Sequence, residues 1–423
     1  MGYHDHTLTS PVAANQRFKQ ETSIPAADVC NSIKMTDTDQ ATPLSLLVAG
    51  LDPSKAVSSS PPSTDPKPGP SSTAPPEPKD FAVAFPSNLP VPPFIHVHGV
   101  PNFRDLGGYE CPALPDPASS VGKKFMVRPG LLYRCAHPTH LTPQGAEVLT
   151  TQLEVKDIYD LRAEPEILRL ASSIASSSRD VYPLASAETG CIDVAGVRRN
   201  FTPVYPNEDY GPVALAKKLA WYTAAQDAVH HTHGYRYSDG FVQAYRDIAI
   251  HGAKSFIIIF RHILERPDEP LVFHCTAGKD RTGVFGALVL RLCGVDDETL
   301  CWEYALTEPG LGSWREMFIE RISAGGIGSA GAKGHDENKP ILNREEAARI
   351  CGSRAGNMRA FLHTVVDGEF GGVEAYLRDL CGFTDAEIER IKKNLVVEVP
   401  EGVAPVKPVG IQGWTPDDGV LEN

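Results

Sequence analysis

Apolar positions recur along the middle of the chain at two spacings. Phe241, Ala244, Tyr245 and Ile248 fall at helical intervals, as do Ile388, Ile391 and Leu395, because residues three and four apart share one face of a 3.6-residue turn. The second group follows Thr384-x-x-Glu387, the pattern of a capping box, which itself follows Gly382, a residue suited to ending the helix before it. Shorter apolar runs predict strands: Leu271-Val272-Phe273 stands after Pro270, and Val155 to Arg162 mixes apolar and polar residues ahead of a Glu-rich segment. Behind Arg281, the positions of Val284, Leu288, Val289 and Leu292 predict a further helix. Strands alternating with helices predict an α/β fold. No internal repeat is visible.

The pattern fails at both ends. From Pro43 to Pro93 the chain is rich in Pro and Ser, with no aromatic residue between Leu51 and Asp80. Such a segment buries too little apolar surface to offset its conformational entropy. Residues 1–90 are therefore expected to be a disordered tail, 91–398 a folded domain, and 399–423 a second tail. The Gly- and Ala-rich stretch Ser323 to Lys333 predicts a surface loop; with the helical region Val213 to Tyr222, it is a candidate lid.

Charge narrows the chemistry. Across 423 residues, 40 Lys plus Arg against 53 Asp plus Glu leave a formal net charge of −13. A nucleic-acid binder working through clustered cations is thereby disfavoured, so any anion must be held by a local site. The first residues lack the basic-then-apolar pattern of a secretory signal, and no apolar stretch approaches the ~20 residues of a membrane span. Nine cysteines without a C-x-x-C pair suggest neither a disulfide framework nor a structural zinc site. The expectation is a soluble, cytoplasmic protein. His230-His231-Thr232-His233 is read as a surface or turn segment rather than a metal site, for no carboxylate or Cys stands at ligand spacing.

The informative segment runs Leu271-Val272-Phe273-His274-Cys275-Thr276-Ala277-Gly278-Lys279-Asp280-Arg281-Thr282-Gly283. It places Cys275 directly after a strand and Arg281 at the head of a helix. The backbone N–H groups from Thr276 to Arg281 and the helix N-terminus then converge on one concavity, which binds an anion without any net positive charge on the protein. The same geometry favours the thiolate of Cys275, a ready nucleophile, and the planar fork of Arg281 suits two oxygens of one phosphate. The segment is not a nucleotide-binding loop of the G-x-x-x-x-G-K-[ST] type, since Phe273 stands five residues before Gly278 and Asp280 follows Lys279.

Cys275 and Arg281 resemble the C-x5-R loop of cysteine-dependent phosphatases, and more closely the atypical tyrosine-phosphatase family 3. Four other segments match that family's pattern: Gly99 to Tyr109 (Gly-Val-Pro-Asn-Phe-Arg-Asp-Leu-Gly-Gly-Tyr); Leu132 to Ala136 with Leu141-Thr142; Asp160-Leu161-Arg162; and Tyr304 to Glu308. Together they cover most of the chain from about 95 to 398, which the resemblance makes a phosphatase catalytic domain with a central sheet flanked by helices. It implies phosphomonoester hydrolysis through a phosphocysteine, with no cofactor and no metal. Cys275 is then the nucleophile, Arg281 the phosphate clamp, and Thr276, Ala277, Gly278, Lys279 and Thr282 the phosphate-binding loop.

Which carboxyl protonates the leaving oxygen is left between two residues. Asp280 lies within the loop, and the resemblance supports it. Asp160 is the runner-up, with a second reading as the acceptor that orients Arg281 or Arg162. Trp414-Thr415-Pro416-Asp417 imitates the acid loop of ordinary tyrosine phosphatases but carries an extra residue and lies after the Cys loop. The substrate is expected to be a phosphotyrosine protein or, because Lys279 adds a cation to the loop, a phosphoinositide. An inactive phosphate-recognition module is the alternative from another class.

Overall fold

The computed structural model describes residues 86–112, 122–205, 220–223, 227–229, 235–324 and 342–414. The chain divides into two units at Lys79 and Asp80, and every described residue belongs to the second. Residues 1–85 of the expected tail, the His230 to His233 cluster, nearly all of the expected Ser323 to Lys333 loop, the Val213 to Leu219 part of the Val213 to Tyr222 region and the Thr415 to Asp417 part of the Trp414 segment lie outside the described residues.

Five strands form the central sheet, in the spatial order β1 (Arg104–Asp105), β4 (Leu132–Cys135), β9 (Leu271–His274), β5 (Asp157–Asp160) and β6 (Arg198–Phe201). β4, β9, β5 and β6 run parallel, and β1 pairs antiparallel with β4. This central β9 carries the Cys loop at its carboxyl end. Register puts Cys135, His274 and Asp160 in one row across β4, β9 and β5, at the edge where open parallel sheets hold their ligands. A smaller antiparallel sheet joins β2 (Glu110–Cys111), β3 (Phe125–Val127) and β10 (Val396–Glu398). A hairpin pairs β7 (Asp227–Val229) with β8 (Arg236–Ser238).

Both faces of β9 are covered, which explains its unbroken apolar run. Val272 packs with Ile158, Tyr133, Phe103 and Leu149 on one side; Phe273 and Tyr159 enter the larger core on the other. There the helix α2 (Asp239–Glu265) and the helix α3 (Asp280–Leu292) meet. Phe285 of α3 touches Phe256, Phe260 and Phe273 with ring centroids 4.9–5.1 Å apart. Truncating such a Phe to Ala typically costs about 3–5 kcal/mol. The helices expected from periodicity are present: Phe241, Ala244, Tyr245 and Ile248 are buried along α2. Thr384 Oγ1 accepts from the N–H of Glu387 at 3.3 Å, and Glu387 accepts from the N–H of Thr384 at 2.9 Å, which starts the helix Asp385–Leu395.

The α/β fold expected from the sequence, a sheet flanked by helices, is the one observed. Beyond the last strand, Val406 pairs with Tyr109 and Ile411 is buried in the main core, so residues 399–414 lie along the domain. Among the described residues, no helix is long and apolar enough to cross a membrane.

Candidate active site

Cys275 follows β9 directly and is 3% exposed. From here to Lys279 every carbonyl of the loop is bonded away from the concavity. His274 Nδ1 donates to the Cys275 oxygen at 3.0 Å, and the His137 N–H donates to Thr276 O at 3.1 Å. Asn102 Nδ2 donates to Ala277 O and Gly278 O at 3.2 and 3.4 Å, Arg134 Nη2 to Gly278 O at 2.8 Å, and the Gly283 N–H to Lys279 O at 2.6 Å. In a trans peptide the N–H points opposite to the carbonyl before it. The N–H groups from Thr276 to Asp280 are thereby turned to the other side, toward the mouth of the loop. Gly278 is at φ +65°, and a Cβ there would lie 2.2 Å from the Cys135 carbonyl oxygen, so this turn admits only glycine.

The donors that hold the loop form a buried polar network. Arg104 and Arg134 are both 0% exposed, and Glu303 between them is 1% exposed. Arg104 Nε donates to one Glu303 oxygen at 2.7 Å, and Arg134 Nη1 to the other at 2.6 Å. Arg104 also bonds the Asn102 side chain and Thr307 Oγ1, and Asn102 itself sits at φ +61°. Burial, followed by the repulsion of Arg134, lowers Arg104 to about 10, against the pull of Glu303; it stays charged at neutral pH. Two guanidinium groups against one carboxylate leave one positive charge in a low-dielectric region beneath the loop. Such a triad requires all its members, since an unpaired buried charge is costly.

Arg281, the second residue of α3, meets Glu166 in a fork: Nη1 to Oε2 at 2.6 Å and Nη2 to Oε1 at 2.9 Å. Glu166 stands in the first turn of the helix α1 (Glu164–Ala175), where Oε2 also accepts from the Ala163 N–H at 3.0 Å and Oε1 from Thr276 Oγ1 at 2.8 Å. Sequence reading missed this residue. The one signal for it was the Glu-rich segment after the Asp160 strand.

Asp160 does not meet Arg281. It is fully buried and accepts from Arg162 at 2.8 and 2.9 Å and from Arg199 at 3.1 Å. Burial alone would raise its pKa, but Arg162, His274 and Arg199 override it and hold the carboxyl well below the usual range. Its contacts are those of a brace rather than a proton donor. Beside it, His274 is pushed down to about 4 by burial, so at neutral pH its Nδ1–H donates to the Cys275 carbonyl.

Asp280 opens α3 and is partly exposed, and its Oδ1 accepts from Lys279 Nζ at 2.8 Å. Lys279 is 4% exposed, with its ammonium 5.8 and 5.1 Å from the ring centroids of Tyr222 and Phe241. Burial opposes its charge, yet Asp280 and Tyr304 raise its pKa overall. Thr282 Oγ1 is buried with no hydrogen-bond partner among the described residues. Away from the loop, Asp157, His262 and Glu269 lie within 4.8 Å of one another. Arg198 and Arg266 already bind Asp157 at 2.6 and 2.9 Å, which makes the group an ion-pair network.

A family model described as a tyrosine phosphatase family matches residues 95–397, which includes every residue of this site. The chain belongs to the tyrosine phosphatase family. A tyrosine-protein phosphatase of Nostoc commune is 30% identical over 160 residues, 38% of this chain and 50% of its own length. The triple specificity protein phosphatase PtpB of Mycobacterium tuberculosis is 26% identical over 305 residues, 70% of this chain and 97% of its own. A putative tyrosine-protein phosphatase of Cupriavidus necator is 24% identical over 280 residues, 66% and 81% respectively. The chain thus matches half the length of the first relative and most of the other two. Membership carries the coarse assignment, a phosphatase.

Proposed function

We propose that the protein hydrolyses phosphomonoesters through a phosphocysteine, with Cys275 as nucleophile. The outward bonding of all five carbonyls from Cys275 to Lys279 carries this reading, because it leaves a set of N–H donors preorganised for the phosphate oxygens. In the first step the Cys275 thiolate attacks phosphorus, the bond to the leaving oxygen breaks, and Asp280 gives that oxygen its proton. Arg281, held in plane by Glu166, clamps two non-bridging oxygens. In the second step water attacks the phosphocysteine and gives its proton to Asp280, while the Thr282 hydroxyl stabilises the departing thiolate. The loop N–H groups of Thr276, Ala277, Gly278 and Lys279 hold the phosphate throughout. Asp160 serves as the brace that ties Arg162 and Arg199 to the end of β5.

Phosphotyrosine protein is the favoured substrate class, in keeping with the family's name. The triple specificity named for the mycobacterial relative supports a broader range, with phosphoinositides as the second reading. The pairing of Lys279 with Asp280 makes it a contributor to the field around the loop in either case. The free thiols of the eight described cysteines support a reducing compartment such as the cytoplasm.

The deciding experiment measures phosphate release from a phosphotyrosine peptide, a phosphoserine peptide and phosphoinositide vesicles, for the full chain and for Cys275→Ser. Turnover that vanishes in Cys275→Ser while phosphopeptide binding persists is expected. Binding without release by the unaltered chain would replace this reading with that of a phosphate-recognition module.

A further inference from the structure

Three charged side chains stand together at the head of α3, and they are not equally open. Asp280 is 25% exposed, Arg281 12% and Lys279 5%. The ammonium of Lys279 is thus turned into the domain, although its backbone N–H faces the mouth of the loop. Nζ donates to Asp280 Oδ1 at 2.8 Å, and two aromatic rings stand against it, Phe241 at 5.1 Å and Tyr222 at 5.8 Å to the centroid. Those rings meet edge to face with centroids 5.0 Å apart, which makes them adjoining walls of one recess. One turn along α3 from Asp280, a Cβ on Gly283 would lie 2.7 Å from the ring of Tyr304, whose phenol is bonded to that of Tyr245. Glycine here lets Tyr304 approach the turn that carries Asp280.

An ammonium this deep is costly unless it is paired. Burial opposes its charge, yet Asp280 and then Tyr304 raise the Lys279 pKa overall. The two kinds of partner act differently. A carboxylate loosens its hold on a cation once it is protonated, whereas the attraction of an aromatic face depends on no proton. The rings therefore keep Lys279 charged through the half of the cycle in which Asp280 carries its proton. The bond to Nζ also distinguishes the two carboxyl oxygens, since the oxygen that accepts from an ammonium leaves the proton to the other.

We infer that Lys279 is a positioning residue: caged by Phe241 and Tyr222, its ammonium holds Asp280 Oδ1 and so aims Oδ2 at the leaving oxygen. This rests on the reading of Asp280 as general acid. In the first step Oδ2 gives its proton to the leaving oxygen as the bond from that oxygen to phosphorus breaks. In the second Oδ2 takes a proton from the attacking water as the bond from sulfur to phosphorus breaks. Lys279 keeps its own protons in both. Its charge is spent within the loop and not on a second phosphate of substrate.

The test uses Lys279→Met, which keeps the stem in its recess and removes the charge, together with Asp280→Asn and the double variant. Steady-state kinetics of the full chain are measured on an alkyl phosphate, on p-nitrophenyl phosphate and on a soluble inositol bisphosphate. In Lys279→Met, kcat on the alkyl phosphate is expected to fall about tenfold, the size of one charged hydrogen bond, with a smaller loss on p-nitrophenyl phosphate. In the Asp280→Asn background the same substitution should add no more than about twofold, because it acts through the carboxyl already removed.

A loss equal on both leaving groups, or one that persists in full beside Asp280→Asn, overturns the proposal. So does a rise in KM confined to the inositol bisphosphate, which would place the ammonium on a second phosphate. Should Lys279→Met fail to fold by circular dichroism, Tyr222→Leu opens one wall of the recess and is carried through the same cycle. A loss that vanishes beside Asp280→Asn then supports the positioning role, and one that does not vanish overturns it. If Asp280→Asn itself loses equally on both leaving groups, the acid reading falls and this proposal with it; a selective Asp280→Asn beside an additive Lys279→Met overturns this proposal alone.

Discussion

Asp280 and Glu166 are both carboxylates beside Arg281, yet their surroundings separate their tasks. Glu166 is tied by hydrogen bonds to Arg281, Thr276 and the Ala163 N–H, so its role is to fix the guanidinium plane before substrate arrives. Glu166→Gln keeps the shape and loses the charge; kcat/KM is expected to fall about tenfold, with binding of inorganic phosphate weakened in parallel. Glu166→Asp, which restores charge but not reach, should recover less than half of that loss on a logarithmic scale. Asp280 is partly exposed and, among the described residues, its side chain is held by Lys279. As the general acid it should matter most where the leaving oxygen is most basic. Asp280→Asn is expected to cost about 10²–10⁴-fold on an alkyl phosphate and much less on p-nitrophenyl phosphate; equal losses on both would transfer the role elsewhere. The sequence already offered Asp280 as the acid, with Asp160 as runner-up, but the part of Glu166 was not legible in it. Composition shows acidic residues near the motif, but only burial and partners tell a brace from a proton donor.

The loop takes its shape from elements far apart in the chain. Asn102 and Arg104 come from the segment entering the first strand, Arg134 from β4, and Glu303 from the helix α4 (Asp297–Ala305). Family resemblance marked the segments of Asn102, Arg104 and Arg134 in the sequence, while its last segment began one residue after Glu303, and it did not reveal what joins them. Their joining is a single buried network of two arginines and one carboxylate. Glu303→Gln leaves both guanidinium groups short of their counter-charge and is expected to destabilise the fold by about 3–5 kcal/mol, read by urea unfolding. A loss below about 1 kcal/mol would show that the loop's other bonds suffice. The helices, by contrast, were legible in advance. The Thr384 cap and the buried stripe of α2 depend on residues three and four apart, which a linear reading sees directly.

Across the whole domain, burial of histidines couples stability to pH. His140 and His274 are each pushed down to about 4, and His137 well below 6.5, mainly by burial. Unfolded, these rings take up protons near 6.5; folded, they resist until about 4 or lower. The unfolded state therefore binds more protons in this window, and stability is lost as the pH falls from 6.5 toward 4. Asp105 acts in the opposite sense, because burial raises it to about 6 despite its bonds from the Gly107 and Gly130 N–H groups. These three histidines outweigh the one aspartate, and His96 and His262, also lowered by burial, act in the same direction, so unfolding takes up protons in this window. Urea midpoints measured at pH 7, 5.5 and 4.5 should fall in that order, and a flat profile would contradict the buried, neutral state of these rings. The sequence by itself determined the α/β fold, the Cys275 loop and the helices, since each is written in neighbouring residues or in a local period. Tertiary structure alone decided that Asp160 pairs with Arg162 and Arg199 and that Glu166 holds Arg281. Those pairings arise where separate strands and helices pack, and the energy of a buried charge depends on partners that no local pattern encodes.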